Sequence, residues 1–405
     1  MISLLLATTV MTTSCSESHC LIGKVPEFVA EVIDEATQAV DEKAAKEKAA
    51  EKRHQDDIER DKEIGRKAVE EIDKQLKAST DQEATARLKA IGAEIAEIAN
   101  QASVSVMWGD PRHSKFEYTF KLVQGDDVNA FSLPGGTIYF YEGLLKFAES
   151  DDELAGVIGH EIAHAAFRHL DALQREQNKV ALAQLPLLIA AAAGGGNADA
   201  VNALMAAQLV GAGLSSGWSM QAETSSDYGA IQFLKKSRYN PTGVLTFMER
   251  LGYKERLSPQ IDWGIYRTHP PTGERARFII RSLSEFGLNI RRSETTTSLS
   301  ARSIPRQDGS FQIWFGDYEV AVLRGTEAKE RASRSVLRLN GFLDSVPQMF
   351  QLTSRGHTVL GNGRELIEFN EGDLEPERTL DDSREKALLA IRRVISELNL
   401  RLWRG

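Results

Sequence analysis

The sequence predicts an α+β fold that is mainly helical, with a small sheet, a long N-terminal helix and a small C-terminal α/β module. Three observations carry this. From Glu27 to Asn100 the chain has almost no breaker after Pro26 and reads as helix. Apolar residues then alternate at period two over Phe116–Val123, with a second strand-like run at Thr137–Tyr141. Beyond residue 150 helical spacing returns, and the tail mixes one helical stripe with strand and hairpin signals.

The 405 residues suit two or three domains, and 26% charged with 42% hydrophobic residues is ordinary for a globular protein. A formal net charge of −9 argues against a nucleic-acid partner, because phosphate binding wants a basic surface. Both cysteines, Cys15 and Cys20, fall at the start, so disulfides contribute nothing to the body of the chain. Residues 1–20 read as an export signal: Ile2–Val10 is apolar yet too short to span a bilayer, although the usual basic residues before it are missing. Cys15 follows Thr12-Thr13-Ser14, which resembles a bacterial lipoprotein cleavage site. The expectation is export to the periplasm or cell envelope, with membrane attachment through a lipid on Cys15. No later stretch is long and apolar enough for a transmembrane helix.

Residues 21–62 form a charged helical spacer, and from Asp41 to Lys77 the charges alternate closely in sign. The globular domain is expected to start at 63, where Ile64, Val69, Ile72 and Leu76 begin an amphipathic pattern that Leu88, Ile91, Ile95 and Ile98 continue. Phe116–Val123 ends at the turn Gly125-Asp126-Asp127, and Asn129–Leu133 leads through Gly135-Gly136 into Thr137–Tyr141. A helix follows at Gly143–Ala148. Ser150, with Asp151, Asp152 and Glu153 after it, caps the next one.

That next helix carries Gly159-His160-Glu161-Ile162-Ala163-His164, an H-E-x-x-H core inside the apolar run Glu153–His169. Histidines four apart lie about 40° apart around a helix and about 6 Å along it, so both imidazoles can reach one ion. Glu161 projects on the flank of the same face, where it meets water rather than the ion. Zinc sites that do chemistry take three protein ligands and leave a position for water. The carboxylate can then take a proton from that water as it attacks a peptide carbonyl, and hand it to the departing amine. Leu154, Val157, Ile158, Ile162 and Phe167 crowd the pattern, and polar groups on a buried helix need partners.

Val180–Ala193 and Ala198–Ala212 are apolar and flank Gly194-Gly195-Gly196. A buried helical hairpin is expected, with a mobile flap beside the cleft as the alternative. Another helix opens at Ala222, placing Glu223 and Asp227 four apart on one face. An acidic pair at that spacing repels unless something positive lies opposite. An ion held with histidine answers this, Glu223 as third ligand and Asp227 accepting a hydrogen bond from a ligand imidazole.

Taken together, Asn129-Ala130-Phe131, Pro134-Gly135-Gly136, Gly143-Leu144-Leu145, the H-E-x-x-H core, Glu223-x-x-x-Asp227-x-Gly229 and Thr268-His269-Pro270-Pro271-Thr272 with Arg275 resemble the gluzincin family of CAAX prenyl proteases and HtpX-type proteases. The similarity is greatest to its soluble, exported bacterial branch, which includes outer-membrane quality-control peptidases, and it spans roughly Glu63 to Leu283. The resemblance implies a zincin-type metallopeptidase domain over 63–292, with one zinc ion per chain held by His160, His164 and Glu223. It implies Glu161 as general base and His269 as a cleft histidine that donates to the oxyanion or fills the fourth position in a resting form. Arg275 would orient a carboxylate or stabilise the cleft, and Asn129, Ala130 and Phe131 match the strand that pairs with substrate backbone. Ser225-Ser226 departs from the family's acidic residue and alanine before the aspartate. His169 lies five residues past His164, about 140° round an unbroken helix, and is not expected as a ligand. His19, His54, His113 and His357 are expected at the surface.

Residues 293–303 are rich in serine and threonine and read as a linker. Residues 304–405 then follow the order β-α-β-β-α: a strand at Phe311–Leu323, a stripe at Ala328, Ala332, Val336, Leu339 and Leu343, a hairpin at Gly361-Asn362-Gly363, and a last helix over Asp382–Trp403. No catalytic cluster falls in this module, whose role is docking a protein partner or plain structure. The expectation is a zinc metalloendopeptidase acting on polypeptides, in particular misfolded or unassembled envelope proteins. The alternative is a catalytically silent zinc-fold chaperone or scaffold.

Overall fold

In a computed structural model of the chain, the structure describes residues 27–176, 218–257, 269, 273–374, 376 and 378–402. The expected export signal with Cys15 and the expected helical hairpin at 180–212 lie outside the described residues. The first element, α1 (Glu27–Ile72), is a 46-residue helix. The chain divides inside it, into a unit ending at Asp57 and a unit from Ile58 onward. Ahead of the division its surface carries exposed i,i+4 pairs such as Glu42–Lys46, as the charge alternation leads one to expect. From Ile58 on, α1 buries Ala68 and Ile72, which with Leu76 pack on Phe131, Leu133, Tyr139 and Tyr141 of the sheet.

Helix α2 (Gln82–Gln101) starts at Asp81, whose side chain accepts from the Ala84 amide, and buries Leu88, Ile91 and Ile95. The sheet has β1 (Thr119–Val123), β2 (Ala130–Ser132) and β3 (Thr137–Tyr141) in the order β1-β3-β2. β1 runs parallel to β3 from Thr119↔Thr137 to Val123↔Tyr141, and β2 pairs antiparallel with its other side, leaving β2 as an edge. Gly135 and Gly136 make the turn into β3 with φ of +84° and +95°, which side-chain-bearing residues rarely adopt.

After α3 (Glu142–Phe147) the described residues form α4 (Asp151–Ala166), α5 (His169–Glu176), α6 (Trp218–Leu234), α7 (Thr242–Leu257) and α8 (Gly273–Glu285). Ser150 caps α4 by accepting from the Glu153 amide at 3.1 Å. Leu154, Ile158 and Ile162 of α4 are fully buried at the centre of a core shared with α2, α6, α7 and α8. No described helix is long and apolar enough to cross a membrane.

The expected linker at 293–303 is instead built into the structure. It holds a short helix α9 (Arg292–Thr295) and the start of β4 (Ala301–Pro305). Several of its polar groups meet fixed partners: Thr296, Thr297 and the Ser298 amide hydrogen-bond to Glu149, and Ser293 to Asp344. Counting the strand that starts at Ala301, the tail has three more strands than the expected order. β4, β5 (Phe311–Phe315) and β6 (Tyr318–Leu323) form one antiparallel sheet, because Gly316 turns the chain at φ +51° inside the run read as one strand. Helix α10 (Ala328–Asp344) leads to a second sheet of β7 (Leu352–Arg355), β8 (Thr358–Gly361) and β9 (Arg364–Glu368), and α11 (Leu380–Arg401) closes the module. Ile313, Leu339, Val359, Ile391 and Ile395 form its separate core.

Two predictions follow from how α1 and α4 are seated. A Cβ at Gly65 would lie 1.8 Å from the Pro134 carbonyl oxygen. Gly65→Ala should therefore destabilise by about 1–3 kcal/mol, although alanine ordinarily favours a helix interior by about 1 kcal/mol; denaturant unfolding of a variant as stable as wild type would refute the contact. Glu153 is fully buried, and burial raises its carboxyl from 4.5 to about 7 against the pull of Arg250. The folded state then holds a proton that the unfolded state has lost, so this group's contribution is present below 4.5 and disappears as pH rises through 7. Unfolding at pH 5 and pH 7.5 should show wild type losing on the order of 3 kcal/mol more than Glu153→Gln.

Candidate metal centre

Two helices, each carrying polar residues at i and i+4, meet face to face. Their close approach is a matter of glycine. A Cβ on Gly229 of α6 would come within 2.7 Å of the Ala163 Cβ, and one on Gly159 of α4 within 3.3 Å of the Ala230 Cα. At that spacing His160 and His164 of α4 face Glu223 and Asp227 of α6, and the chain ahead of α8 brings in His269.

One ligand atom from each of His160, His164, Glu223 and His269 falls within 4.8 Å of all the others. His160 Nε2 and His164 Nε2 are 3.0 Å apart, and each lies 3.3 Å from a Glu223 oxygen. His269 Nδ1 is 3.0 Å from Glu223 Oε1 and 3.3 Å from His160 Nε2, so it joins the donor group rather than standing off in the cleft. Glu161 is 1% exposed; its Oε2 has no hydrogen-bond partner among the described residues, and its Oε1 is 3.4 Å from His269 Nε2.

Asp227 accepts from His160 Nδ1 at 2.9 Å and is held by Arg275 from the first turn of α8, through Nε at 2.9 Å and Nη2 at 2.8 Å. The third guanidinium nitrogen reaches Glu223 Oε2 at 2.8 Å. Burial alone would raise the Glu223 carboxyl, but the charges of His269, Arg275 and His164 outweigh it and hold it well below its ordinary value. Asp227 is lowered the same way, by Arg275 and His160 against burial. Burial disfavours the charged His160 ring, yet Asp227 and Glu223 hold it up at about 9. His164, also buried, falls well below its usual range despite Glu223.

Nitrogen and carboxylate donors in this number suit zinc. The charges agree: buried Glu161, Glu223 and Asp227 face the buried guanidinium of Arg275, and a divalent cation brings that group to neutrality. Such an ion would displace the proton at His160 Nε2 while Nδ1 keeps its own on Asp227. A half-open cleft adjoins the cluster, with Val157, Val244, Phe247, Met248 and Leu251 as its apolar wall.

Residues 84–282 match the sequence profile of peptidase family M48. Over those residues the chain resembles an M48 peptidase domain. Over 172 residues it is 31% identical to the metalloprotease LoiP of Escherichia coli, covering 42% of this chain and 64% of LoiP. It is 31% identical over 163 residues to the β-barrel assembly-enhancing protease of the same organism, covering 38% of this chain and 32% of that one. To the mitochondrial metalloendopeptidase OMA1 of Schizosaccharomyces pombe it is 27% identical over 173 residues, covering 42% and 48%. The chain thus spans less than two thirds of the length of each relative.

The remaining expected residues are placed unevenly. Asn129 precedes edge strand β2, which packs against α4; its amide nitrogen and oxygen are buried without partners among the described residues. Ala130 and Phe131 pair with Phe140 and Tyr139, and the Phe131 ring stacks on Tyr139 at 5.0 Å, so only the backbone of this strand can serve an incoming chain. Of the histidines expected at the surface, His357 is exposed, His113 is half-buried, His54 is buried, and His19 lies outside the described residues. His169 is not among the converging donors, but it is far from incidental: it sits behind His164, Nδ1 to Nδ1 at 3.0 Å. Trp108, Ser225 and Ser226 complete its surroundings, and no sequence pattern pointed to them.

Replacing Asp227 by asparagine keeps the shape and removes the charge that polarises His160. Zinc affinity, measured by chelator competition, should fall about 10- to 100-fold. Unchanged affinity would separate Asp227 from the metal centre.

Proposed function

We propose that this protein is a zinc-dependent metalloendopeptidase that hydrolyses internal peptide bonds. The observation that carries it is the convergence of His160, His164 and Glu223 on one point, beside a buried Glu161 oxygen with no other task. His160, His164 and Glu223 would hold the ion, with Asp227 and Arg275 fixing their orientation and charge. When bound, zinc supplies a Lewis acid that polarises the scissile carbonyl and makes water a nucleophile at neutral pH. Glu161 takes the proton of the attacking water and delivers it to the departing amine nitrogen. His269, seated against Glu223, would donate to the developing oxyanion or, in a resting form, would itself serve as a ligand. An extended substrate adds to β2 through backbone hydrogen bonds at Asn129, Ala130 and Phe131.

Polypeptides of the cell envelope, misfolded or unassembled, are the proposed substrates; the likeness to a β-barrel assembly-enhancing protease supports this. Residues 1–20 support export to the periplasm or envelope with a lipid on Cys15, and 304–405 would dock a protein partner. The tight four-donor packing with His269 favours one second reading, a zinc-fold scaffold that binds unfolded chains without cutting them.

Glu161→Gln should retain zinc and lose at least about 10³-fold of its cleavage of a quenched peptide or casein. Wild-type rates in that variant would remove Glu161 from the chemistry. Silence of wild type and His269→Ala alike would leave the scaffold.

A further inference from the structure

His160 has a carboxylate behind it to fix which nitrogen carries its proton. The other ligand histidine has none: behind His164 stands His169, 2% exposed, with its Nδ1 3.0 Å from His164 Nδ1. The far side of the His169 ring is decided by what it meets. Nε2 lies 2.9 Å from the Trp108 carbonyl oxygen, which can only accept, so Nε2 carries the proton. The ring is buried with no carboxylate in hydrogen-bond contact among the described residues, which keeps it neutral and leaves Nδ1 bare. The Trp108 carbonyl is itself pinned, accepting from Ser225 Oγ at 3.0 Å while the Trp108 amide donates to the same hydroxyl at 3.2 Å.

We propose that His169 is a positioning residue for the metal centre: its bare Nδ1 accepts the Nδ1 proton of His164 and so turns a bare His164 Nε2 toward the ion. Resting on the reading of His164 as a ligand, this completes a run of donors that point outward on both sides of the facing His160 and His164 Nε2 atoms. Asp227 accepts from His160 Nδ1, His160 Nε2 faces His164 Nε2, His164 Nδ1 donates to His169 Nδ1, and His169 Nε2 donates to Trp108. A metal ion replaces the one proton in the middle of that run and disturbs none of the others. Ser226 Oγ, 3.1 Å from His169 Nδ1, shares the same lone pair as a second donor.

Side-chain geometry supplies the test. Asparagine places an oxygen one bond beyond Cγ, where histidine has Nδ1; glutamine places a nitrogen two bonds beyond, where histidine has Nε2. His169→Asn keeps the acceptor for His164 and loses Trp108, whereas His169→Gln keeps Trp108 and loses the acceptor. Zinc affinity of the full chain by chelator competition should stay close to wild type in His169→Asn and fall about 10- to 100-fold in His169→Gln. The reverse order, equal losses in both, or no loss in either would overturn the proposal, since each means that His169 serves only to hold the Trp108 loop. Ser226→Ala should bind zinc as tightly as wild type; a loss matching that of His169→Gln would make the serine the operative donor and overturn it too. A readout independent of the variants is the imidazole ¹⁵N spectrum of zinc-free wild type, where His164 should carry its proton on Nδ1. Finding it on Nε2 sinks the positioning role alone, while wild type that binds no zinc sinks the reading of the site.

Discussion

Three carboxylates buried between two packed helices are the constraint on which the rest of this structure turns. Glu161, Glu223 and Asp227 are each nearly inaccessible. An isolated buried carboxylate costs several kcal/mol unless it is paired. Arg275 spans Asp227 and Glu223 with all three of its nitrogens, and so ties α8 to α6 at the point where α6 meets α4. The same groups that make the site chemically useful are thus the joint between three helices. Gly159 and Gly229 permit that joint, because a methyl at either would push the helices apart and the donors with them.

Much of the site was legible because a helix fixes the relative direction of its own residues. His160 with His164, and Glu223 with Asp227, could be assigned to shared faces from spacing alone, and the serine cap of α4 could be read the same way. The hairpin at Asn362 and Gly363, both at positive φ, was legible for a local reason too. His169 was not, because its position was reckoned along an unbroken helix. The chain leaves α4 after Ala166, and Arg168 takes φ +53°, which swings the next ring back behind His164 instead of round the far side. The parallel pairing of β1 with β3 also escaped, since a ladder partner depends on how the connection crosses and not on either strand's pattern.

The serine- and threonine-rich stretch shows the complementary failure. Hydroxyl residues read as solvent-seeking when their partners are distant in sequence, yet Glu149 and Asp344 supply acceptors that make 293–298 a fixed joint between the two cores. β4 and β7 left no alternation to find, because one is mostly exposed and the other buries only Leu352. Composition told what these residues tolerate, and tertiary contacts decided what they do.

The αL turn at Arg168 has its own support, which gives the long helix a reason to be there. A non-glycine residue in that region costs about 1–3 kcal/mol unless its surroundings hold it. Arg168 is held: its buried guanidinium meets Asp61 of α1, Asp110 of the loop after Trp108, and Asp171 of α5. Asp61 lies one turn before Gly65, the residue that lets α1 seat on the Pro134 carbonyl beside edge strand β2. A single stretch of α1 therefore fixes both the corner that aims His169 at His164 and the turn that sets the sheet edge. Seen this way, the helix from Ile58 onward is part of the metal centre's frame, even though none of its side chains reaches the donors.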